Sequence, residues 1–172
     1  ELAAARVVVL PPQKLLDRLS QRFKLLKGKR TRAGSRQATL RGMIDWSWDL
    51  LDLHERSALA QCAIFNGGFF LDAAETIIDL SDFDDDPWVL DTLQSLRDKS
   101  LLKTREVREL PEEPRFYMYE SIREYALERL VEQEHLDAAS QRHADYYLTI
   151  GEALSSGISQ HGGVEKSHRL NA

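Results

Sequence analysis

Residues 115–130 read RFYMYESIREYALERL, and within this stretch the hydrophobic period changes from two to about 3.6 residues. The first part alternates apolar residues with tyrosines, as a strand does, through Phe116, Tyr117, Met118 and Tyr119. The second part repeats apolar residues at helical spacing, at Ile122, Tyr125, Ala126 and Leu130. The stretch therefore predicts a strand that runs directly into a helix.

The start of this helix is marked by Ser121, which Glu124 follows three residues later. A serine and a glutamate at this spacing fit a capping box, in which each side chain bonds to the backbone of the other residue. We therefore expect the helix to begin at Ser121 and to leave residues 118–120 on a short, rigidly oriented connector. A residue held in this way can point at something outside its own domain.

Upstream of this stretch the hydrophobic pattern predicts a series of helices: Thr39–Leu51, Asp52–Phe65, Leu71–Leu80 and Pro87–Lys99. Asp52 and Glu55 form a second capping-box pattern, and Asn66-Gly67-Gly68 supplies a helix stop. Phe69-Phe70 is predicted to be a short strand or plug. The segments Leu101–Arg105 and Arg115–Tyr119 enclose a polar stretch with two prolines and predict a β-hairpin. Three helices followed by a hairpin is the winged-helix order.

Residues 81–86 form a turn rich in aspartate (Asp82, Asp84, Asp85 and Asp86). A calcium loop is one interpretation, but the spacing lacks the EF-hand ligand pattern and its central glycine. The alternative is that Asp86 caps the next helix and Pro87 occupies its first turn. After the hairpin, a final helix is predicted from about His135. Its seam positions are Leu136, Ala139, His143, Tyr147, Ile150 and Leu154. The fold class is thus mostly α, with a helical bundle, a winged helix and a C-terminal helix.

The composition is that of a globular protein, with 42% hydrophobic and 30% charged residues and a net charge of −5. The net charge disfavours a general binder of nucleic acid or of anionic membranes. One cysteine, Cys62, excludes an internal disulfide and suggests a reducing, cytoplasmic setting. No run is long and apolar enough to span a membrane. The chain opens in helical register without an initiator methionine, which suggests a piece of a longer protein.

The segment Lys14–Arg41 is basic, with ten lysines and arginines and one acid, Asp17. It could contact phosphates or nucleic acid, or it could be a solvated loop beside an acidic domain; no aromatic residues interleave to stack bases. The sequence contains no GxxxxGK[ST] phosphate loop, HExxH metal motif or GxSxG nucleophile motif. We therefore expect no enzyme activity, no metal site and no cofactor in this chain itself.

Three segments together resemble the winged-helix part of the STAND, or NB-ARC-like, signal-transducing ATPases, and most closely the bacterial regulators among them. The segments are TLRGMIDWSWDLLDLHERSALAQCAIFNGGFFLDAAETI, VLDTLQSLRDKSLL and FYMYESIREYALERL. The opening residues resemble the helical subdomain after the GLPL motif of that class, and HADYYLTIGEAL resembles the start of its helical-repeat sensor. The resemblance implies three parts: the subdomain end and a basic linker (1–37), a winged helix (38–134) and a first sensor helix (135–172).

In that class an upstream domain binds ADP or ATP, and a histidine in an M-H-D motif at the end of the second wing strand touches the β-phosphate of ADP. The matching positions here are Met118, Tyr119 and Glu120. The resemblance therefore implies a cofactor-binding role for Tyr119 and Glu120. Tyrosine replaces histidine, and a phenol donates one hydrogen bond but carries no positive charge. The alternative role of Tyr119 is packing under the capped helix.

Two main functional hypotheses follow. The first is a non-catalytic regulatory segment that controls nucleotide-dependent opening, with the upstream nucleotide domain and downstream helical repeats as partners. The second is a winged-helix DNA-binding module, which the mixed charges of the predicted reading helix and hairpin disfavour, so that no specific nucleic acid is expected. A third is a scaffold that only binds other proteins.

Overall fold

The computed structural model describes residues 40–85, 87–107 and 110–157. This part of the chain contains six helices and one antiparallel hairpin: α1 (Leu40–Asp49), α2 (Leu53–Cys62), α3 (Leu71–Ile77), α4 (Val89–Asp98), β1 (Lys103–Val107), β2 (Leu110–Tyr117), α5 (Glu120–Glu132) and α6 (Leu136–Gly157). The chain divides into two compact units, with the boundary between Leu51 and Asp52. The fold class is therefore mostly α, with a winged-helix arrangement of α2, α3, α4 and the hairpin. Of the basic segment Lys14–Arg41, only the last two residues are among the described ones.

The capping box predicted at the start of α2 is confirmed. Asp52 is the cap, with an extended backbone, and its N–H donates to Glu55 Oε2 at 2.8 Å. The helix ends at Cys62, earlier than predicted, and the chain continues to Phe65 in tighter turns in which each N–H bonds three residues back. The predicted stop is confirmed, because Gly67 and Gly68 have positive φ angles of 88° and 113°. A Cβ on Gly68 would lie 2.5 Å from the Phe116 carbonyl oxygen, so this close approach requires glycine.

Helices α3 and α4 are both shorter than the sequence pattern suggests. The helix α3 ends at Ile77, and Ile78 has an extended backbone although its side chain is buried. The helix α4 begins at Val89 behind an extended Trp88, so the expectation that Pro87 occupies its first turn and that Asp86 caps it is wrong. Two residues separate Asp86 from the helix, which is too far for a cap. Asp86 itself is outside the described residues.

The hairpin is longer than predicted, with Lys103 paired with Tyr117, Arg105 with Arg115 and Val107 with Leu110. Residues 108 and 109, between the strands, are outside the described part. The plug at Phe69 is confirmed, because Phe69 and Phe116 exchange two backbone hydrogen bonds of 2.8 Å and form an isolated bridge. Phe116 therefore points into the core, and Arg105, Arg115 and Tyr117 lie on the opposite face of the hairpin.

The predicted continuation of the strand into a helix is confirmed, but the helix begins before Ser121. Tyr119 is the cap residue, with φ −64° and ψ 143°, and its carbonyl accepts 2.9 Å hydrogen bonds from the N–H groups of Ile122 and Arg123. Ser121 is therefore the second residue of α5, and the prediction that it caps the helix is wrong. The strand pairing ends at Tyr117, so the backbone turns into the helix two residues later and leaves no room for a longer connector.

The core of the larger unit lies where α2 packs against α4 and α5, and α3 against α6. Its most deeply buried large side chains are Leu59, Phe69, Ile77, Leu93, Leu96, Leu102 and Leu130. Aromatic rings continue this core to α6. Phe65 stacks on Phe69 with ring centres 4.3 Å apart and meets His143 edge-on at 5.5 Å. The start of the last helix near His135 is confirmed, and Ala139, one of its seam positions, is fully buried.

Candidate functional site

The site predicted from the sequence lies at the junction of β2 and α5. Met118 and Tyr119 are the two residues between the strand and the helix, and Glu120 is the first helical residue. The strand fixes one side of this connector and the first helical hydrogen bonds fix the other, so its orientation is determined by regular structure on both sides. The sequence therefore located the connector correctly but made it one residue too long.

The Tyr119 side chain lies outside the core. It is 52% exposed, and Lys103 Nζ on β1 donates a hydrogen bond to Tyr119 Oη at 2.6 Å. The same ammonium group lies 4.5 Å from the centre of the tyrosine ring. The hydrogen bond with Tyr119 raises the pKa of Lys103, so the amine stays charged. The phenol is thus held at the surface against a permanent positive charge, rather than packed beneath α5.

Glu120 is exposed at the N-terminus of α5, where a carboxylate is favoured by the helix dipole. Its Oε1 accepts a 3.4 Å hydrogen bond from Arg123, whose Nε donates to the Phe65 carbonyl at 3.0 Å. Arg123 therefore connects the junction to the end of the α2 segment. The structure places Tyr119 and Glu120 next to each other at the surface, each with a basic neighbour.

A small pocket of about 180 Å³ lies beside the junction. Met118, Glu120 and Arg123 line one part of it, and Arg105 and Tyr117 of the hairpin line another. Gly67 and Gly68 supply backbone, and the buried Cys62 also borders it. Burial raises the pKa of the Cys62 thiol well above its usual range, so this sulfur is a poor nucleophile at neutral pH.

The second candidate surface is the exposed side of α4, the helix that would read DNA in a winged-helix protein. Its exposed residues are Asp91, Gln94, Arg97 and Asp98. The guanidinium of Arg97 forms a 3.3 Å ion pair with Asp98, which offsets its charge. Between Arg56 and Arg97 the sequence contains eight acidic residues and no lysine or arginine. The segment that contains most of α4 is thus acidic and suits contact with phosphates poorly.

A buried polar cluster fixes the position of α4 against α2. Glu55 is 2% exposed, and its carboxylate accepts hydrogen bonds from Ser95 Oγ at 2.5 Å and from Lys99 Nζ at 2.5 and 2.6 Å. Burial alone would raise the pKa of Glu55, but the hydrogen bonds from Lys99, Ser95 and the Asp52 N–H outweigh it and the pKa is lowered. We call Glu55, Ser95 and Lys99 the α2–α4 clamp.

A second cluster joins α6 to α2 and α3. Gln61 is buried and pairs with the Asp79 backbone through two 2.8 Å hydrogen bonds. Arg142 of α6 donates to Gln61 Oε1 at 2.9 Å and to the Ile77 carbonyl at 2.7 Å, at the C-terminal end of α3 where a cation is favoured. We call Gln61, Asp79 and Arg142 the α6 clasp.

The clamp and the clasp are not predicted by the sequence. The predicted capping box at Glu55 is correct, but the additional bonds to α4 come from residues about forty positions away. No local pattern marks Gln61 or Arg142. The one available signal was that Gln61, a polar residue, interrupts the buried run of α2. Within the described residues there is no cluster of three or more metal-ligating side chains, and no helix has the length and hydropathy for a membrane span.

Comparison with known proteins identifies relatives in mycobacteria, and no family model matches the chain. The chain is 39% identical over 157 residues to a Mycobacterium tuberculosis protein named "Putative HTH-type transcriptional regulator", and this match covers 91% of the chain but 17% of that protein. A Mycobacterium bovis protein with the same regulator name matches equally. An uncharacterized M. tuberculosis protein is 33% identical over 165 residues, 95% of the chain and 40% of that protein. The chain thus spans less than half the length of these relatives.

Proposed function

We propose that this chain is a non-catalytic regulatory segment of a STAND, or NB-ARC-like, signalling regulator. Its role would be to hold or release an upstream nucleotide-binding domain through contacts at the β2–α5 junction. The observation that carries this proposal is the exposure of Tyr119 and Glu120 on a connector that regular structure orients on both sides. Side chains presented in this way are available to a neighbouring domain and contribute little to their own core.

The Lys103–Tyr119 pair supports phosphate contact despite the absence of a histidine. Lys103 donates to the phenol oxygen, which leaves the hydroxyl proton of Tyr119 available to a further acceptor. The ammonium group supplies the positive charge that tyrosine lacks. A β-phosphate oxygen in front of the ring would then receive a hydrogen bond from Tyr119 within the field of Lys103. Together the two residues would provide what a protonated histidine provides alone.

The cofactor in this proposal, ADP or ATP, binds to the upstream domain, and the chain contributes only contacts to it. The other partner is the helical-repeat region that would follow α6 in a longer protein. The cytoplasm, where nucleotides are abundant, is the compartment this role requires. ADP bound more tightly in the closed state would favour that state by its difference in affinity between the two states.

The first test is the nucleotide content of the full-length protein that contains this segment. The proposal predicts that ADP is released on denaturation, in amounts close to one per chain, and is detected by chromatography. The isolated 172-residue chain should release none and should show no phosphate production from ATP. A full-length protein that carries no nucleotide, and gains none after incubation with ADP, would contradict the proposal.

DNA binding by the winged helix is the second candidate function, because the longer relatives are named HTH-type regulators. The acidic residues of α4 and of the segment before it disfavour this function. We expect the chain to bind duplex DNA weakly, without sequence preference, and to lose this binding as salt is raised. Fluorescence anisotropy with labelled duplexes at two salt concentrations measures this. Sub-micromolar, sequence-selective binding at physiological salt would favour the second function over the first.

A further inference from the structure

The outward face of the hairpin carries two arginines that stand directly opposite each other. The strands are antiparallel, and Arg105 on β1 is paired with Arg115 on β2. Residues opposite each other in an antiparallel pair lie on the same face with Cβ atoms about 5 Å apart, and like charges at such positions repel. Lys103, two residues before Arg105, lies on this face as well. The face therefore concentrates three positive charges on two short strands.

The guanidinium group of Arg115 has few hydrogen-bond acceptors. Its NH2 donates one long bond, 3.3 Å, to the Gly68 carbonyl, and the group lies 5.6 Å from the centre of the Phe70 ring. Its Nε is buried and has no hydrogen-bond partner among the described residues. Burial lowers the pKa of Arg115, and the nearby Arg105 lowers it further. The protein thus holds this cation in a place that disfavours its charge.

Arg105 is equally poor in partners. It is exposed, lies 5.8 Å from the centre of the Tyr117 ring, and borders the 180 Å³ pocket beside the junction. Of the carboxylates near the hairpin, Glu120 accepts a hydrogen bond from Arg123, and Glu113 lies two residues before Arg115 on β2. Within residues 40–85, 87–107 and 110–157, neither Arg105 nor Arg115 forms an ion pair.

We propose that Arg105, which lines this pocket, and its cross-strand partner Arg115 together bind a small phosphate-bearing anion, with Lys103 adding charge from the same face. A phosphate presents several acceptor oxygens, and two guanidinium groups can each donate to it in the forked geometry that favours tetrahedral oxyanions. The anion would supply the acceptors that the described residues do not, and would remove the repulsion between the two arginines.

The size and charge of the surroundings favour a small ligand over a nucleic acid. The pocket has room for one or two phosphate groups, and the net charge of the chain, −5, disfavours an extended polyanion. The site shares Lys103 with the proposed nucleotide lock but uses neither Tyr119 nor an upstream domain. Substitutions of Arg105 leave Lys103 and Tyr119 unchanged, so the two proposals can fail separately.

The test is a titration of the complete 172-residue chain, in a buffer free of phosphate and low in chloride, with inorganic phosphate, pyrophosphate and ADP. Calorimetry measures the affinity, and the rise in Tm on binding measures it independently. We expect saturable binding that is tighter for pyrophosphate than for phosphate. If ADP binds more tightly than pyrophosphate, the natural ligand is a nucleotide. If the two bind equally, the natural ligand is a free phosphate or pyrophosphate.

The decisive variant is Arg105→Gln, because Arg105 is exposed and its removal should leave the fold intact. We expect about a tenfold or greater loss of pyrophosphate affinity, the effect of losing hydrogen bonds to a charged group. Its Tm without ligand should be equal to or above that of the parent chain, since the repulsion with Arg115 is gone. Arg105→Lys keeps the positive charge but not the planar guanidinium group that donates two hydrogen bonds at once. It should therefore retain part of the affinity.

The matched control is Arg97→Gln, which removes an exposed arginine from α4 and should leave the affinity unchanged. Arg115→Gln should also weaken binding, although it can lower Tm through the lost contact with Gly68. Equal losses in Arg105→Gln and Arg97→Gln would overturn the proposal, because they would indicate general charge screening. The absence of saturable binding to any of the three anions, or tighter Arg105-dependent binding to duplex DNA than to pyrophosphate, would overturn it as well.

Discussion

The α2–α4 clamp and the outward face of the hairpin both bring charged groups of distant residues together. They differ in whether these charged groups have partners of opposite charge. In the clamp, the buried carboxylate of Glu55 accepts hydrogen bonds from Lys99, Ser95 and the Asp52 N–H. On the hairpin, Arg105 and Arg115 are cross-strand partners, and neither forms an ion pair among the described residues. A satisfied cluster stabilises the fold, whereas an unsatisfied one at the surface is available to a ligand or another domain.

Among the variants that test this comparison, Glu55→Gln is expected to change the free energy of unfolding most. The amide keeps the shape of the side chain but removes the charge that Lys99 and Ser95 bind, and breaking a buried pair costs roughly 3 kcal/mol. Lys99 is partly exposed and can be rehydrated, so we expect a loss of about 2 kcal/mol in the free energy of unfolding, measured by urea denaturation. The control is Glu75→Gln, an exposed residue of α3, which should change stability by less than about 0.5 kcal/mol.

The clamp also predicts a dependence of stability on pH. The pKa of Glu55 is lower in the folded chain than in the unfolded chain, so its contribution is fully present above the ordinary carboxylate range. It is lost as the pH falls through the folded pKa. The difference in unfolding free energy between the parent chain and Glu55→Gln should therefore be constant from neutral pH down to about pH 5, and should shrink in stronger acid. A difference that instead grows in acid would show that the clamp does not bind an ionised Glu55.

A smaller effect is expected when the α6 clasp is broken. Arg142→Met keeps much of the apolar stem but removes the bonds to Gln61 and the Ile77 carbonyl. Because the guanidinium is partly exposed, we expect a loss of about 1–2 kcal/mol in the free energy of unfolding. Hydrogen exchange should show that the loss is concentrated in α6. The control is Gln141→Met, the exposed neighbour on α6; equal losses in both variants would mean that the clasp contributes nothing specific.

Ser121→Ala is expected to have little effect. Ser121 is the second residue of α5 and Tyr119 is the cap, so the substitution should change the free energy of unfolding by less than about 0.5 kcal/mol. Loss of a true N-cap costs about 1 kcal/mol. Thermal denaturation distinguishes the two values, and a loss of the larger size would restore Ser121 to the cap position.

These differences show which structural features could be predicted from the sequence. Hydrophobic period and capping patterns predicted α2, the hairpin, the strand-to-helix junction and the start of α6, because each depends on neighbours within a few residues. The start of α5 was misplaced because strand pairing, a long-range interaction, ends at Tyr117 and sets where the helix can begin. The clamp and the arginine pair were not predicted, since they depend on which residues the fold brings together across about ten to forty positions.

The central claim is that Tyr119 faces outward toward a nucleotide domain, and Tyr119→Ala tests it most directly in two settings. In the 172-residue chain the free energy of unfolding should change by less than about 0.5 kcal/mol, because the ring is 52% exposed. In the full-length protein, the loss of one hydrogen bond should speed ADP release about fivefold, corresponding to roughly 1 kcal/mol. A loss of about 3 kcal/mol in the 172-residue chain, with unchanged ADP release, would contradict the account and identify Tyr119 as a core residue.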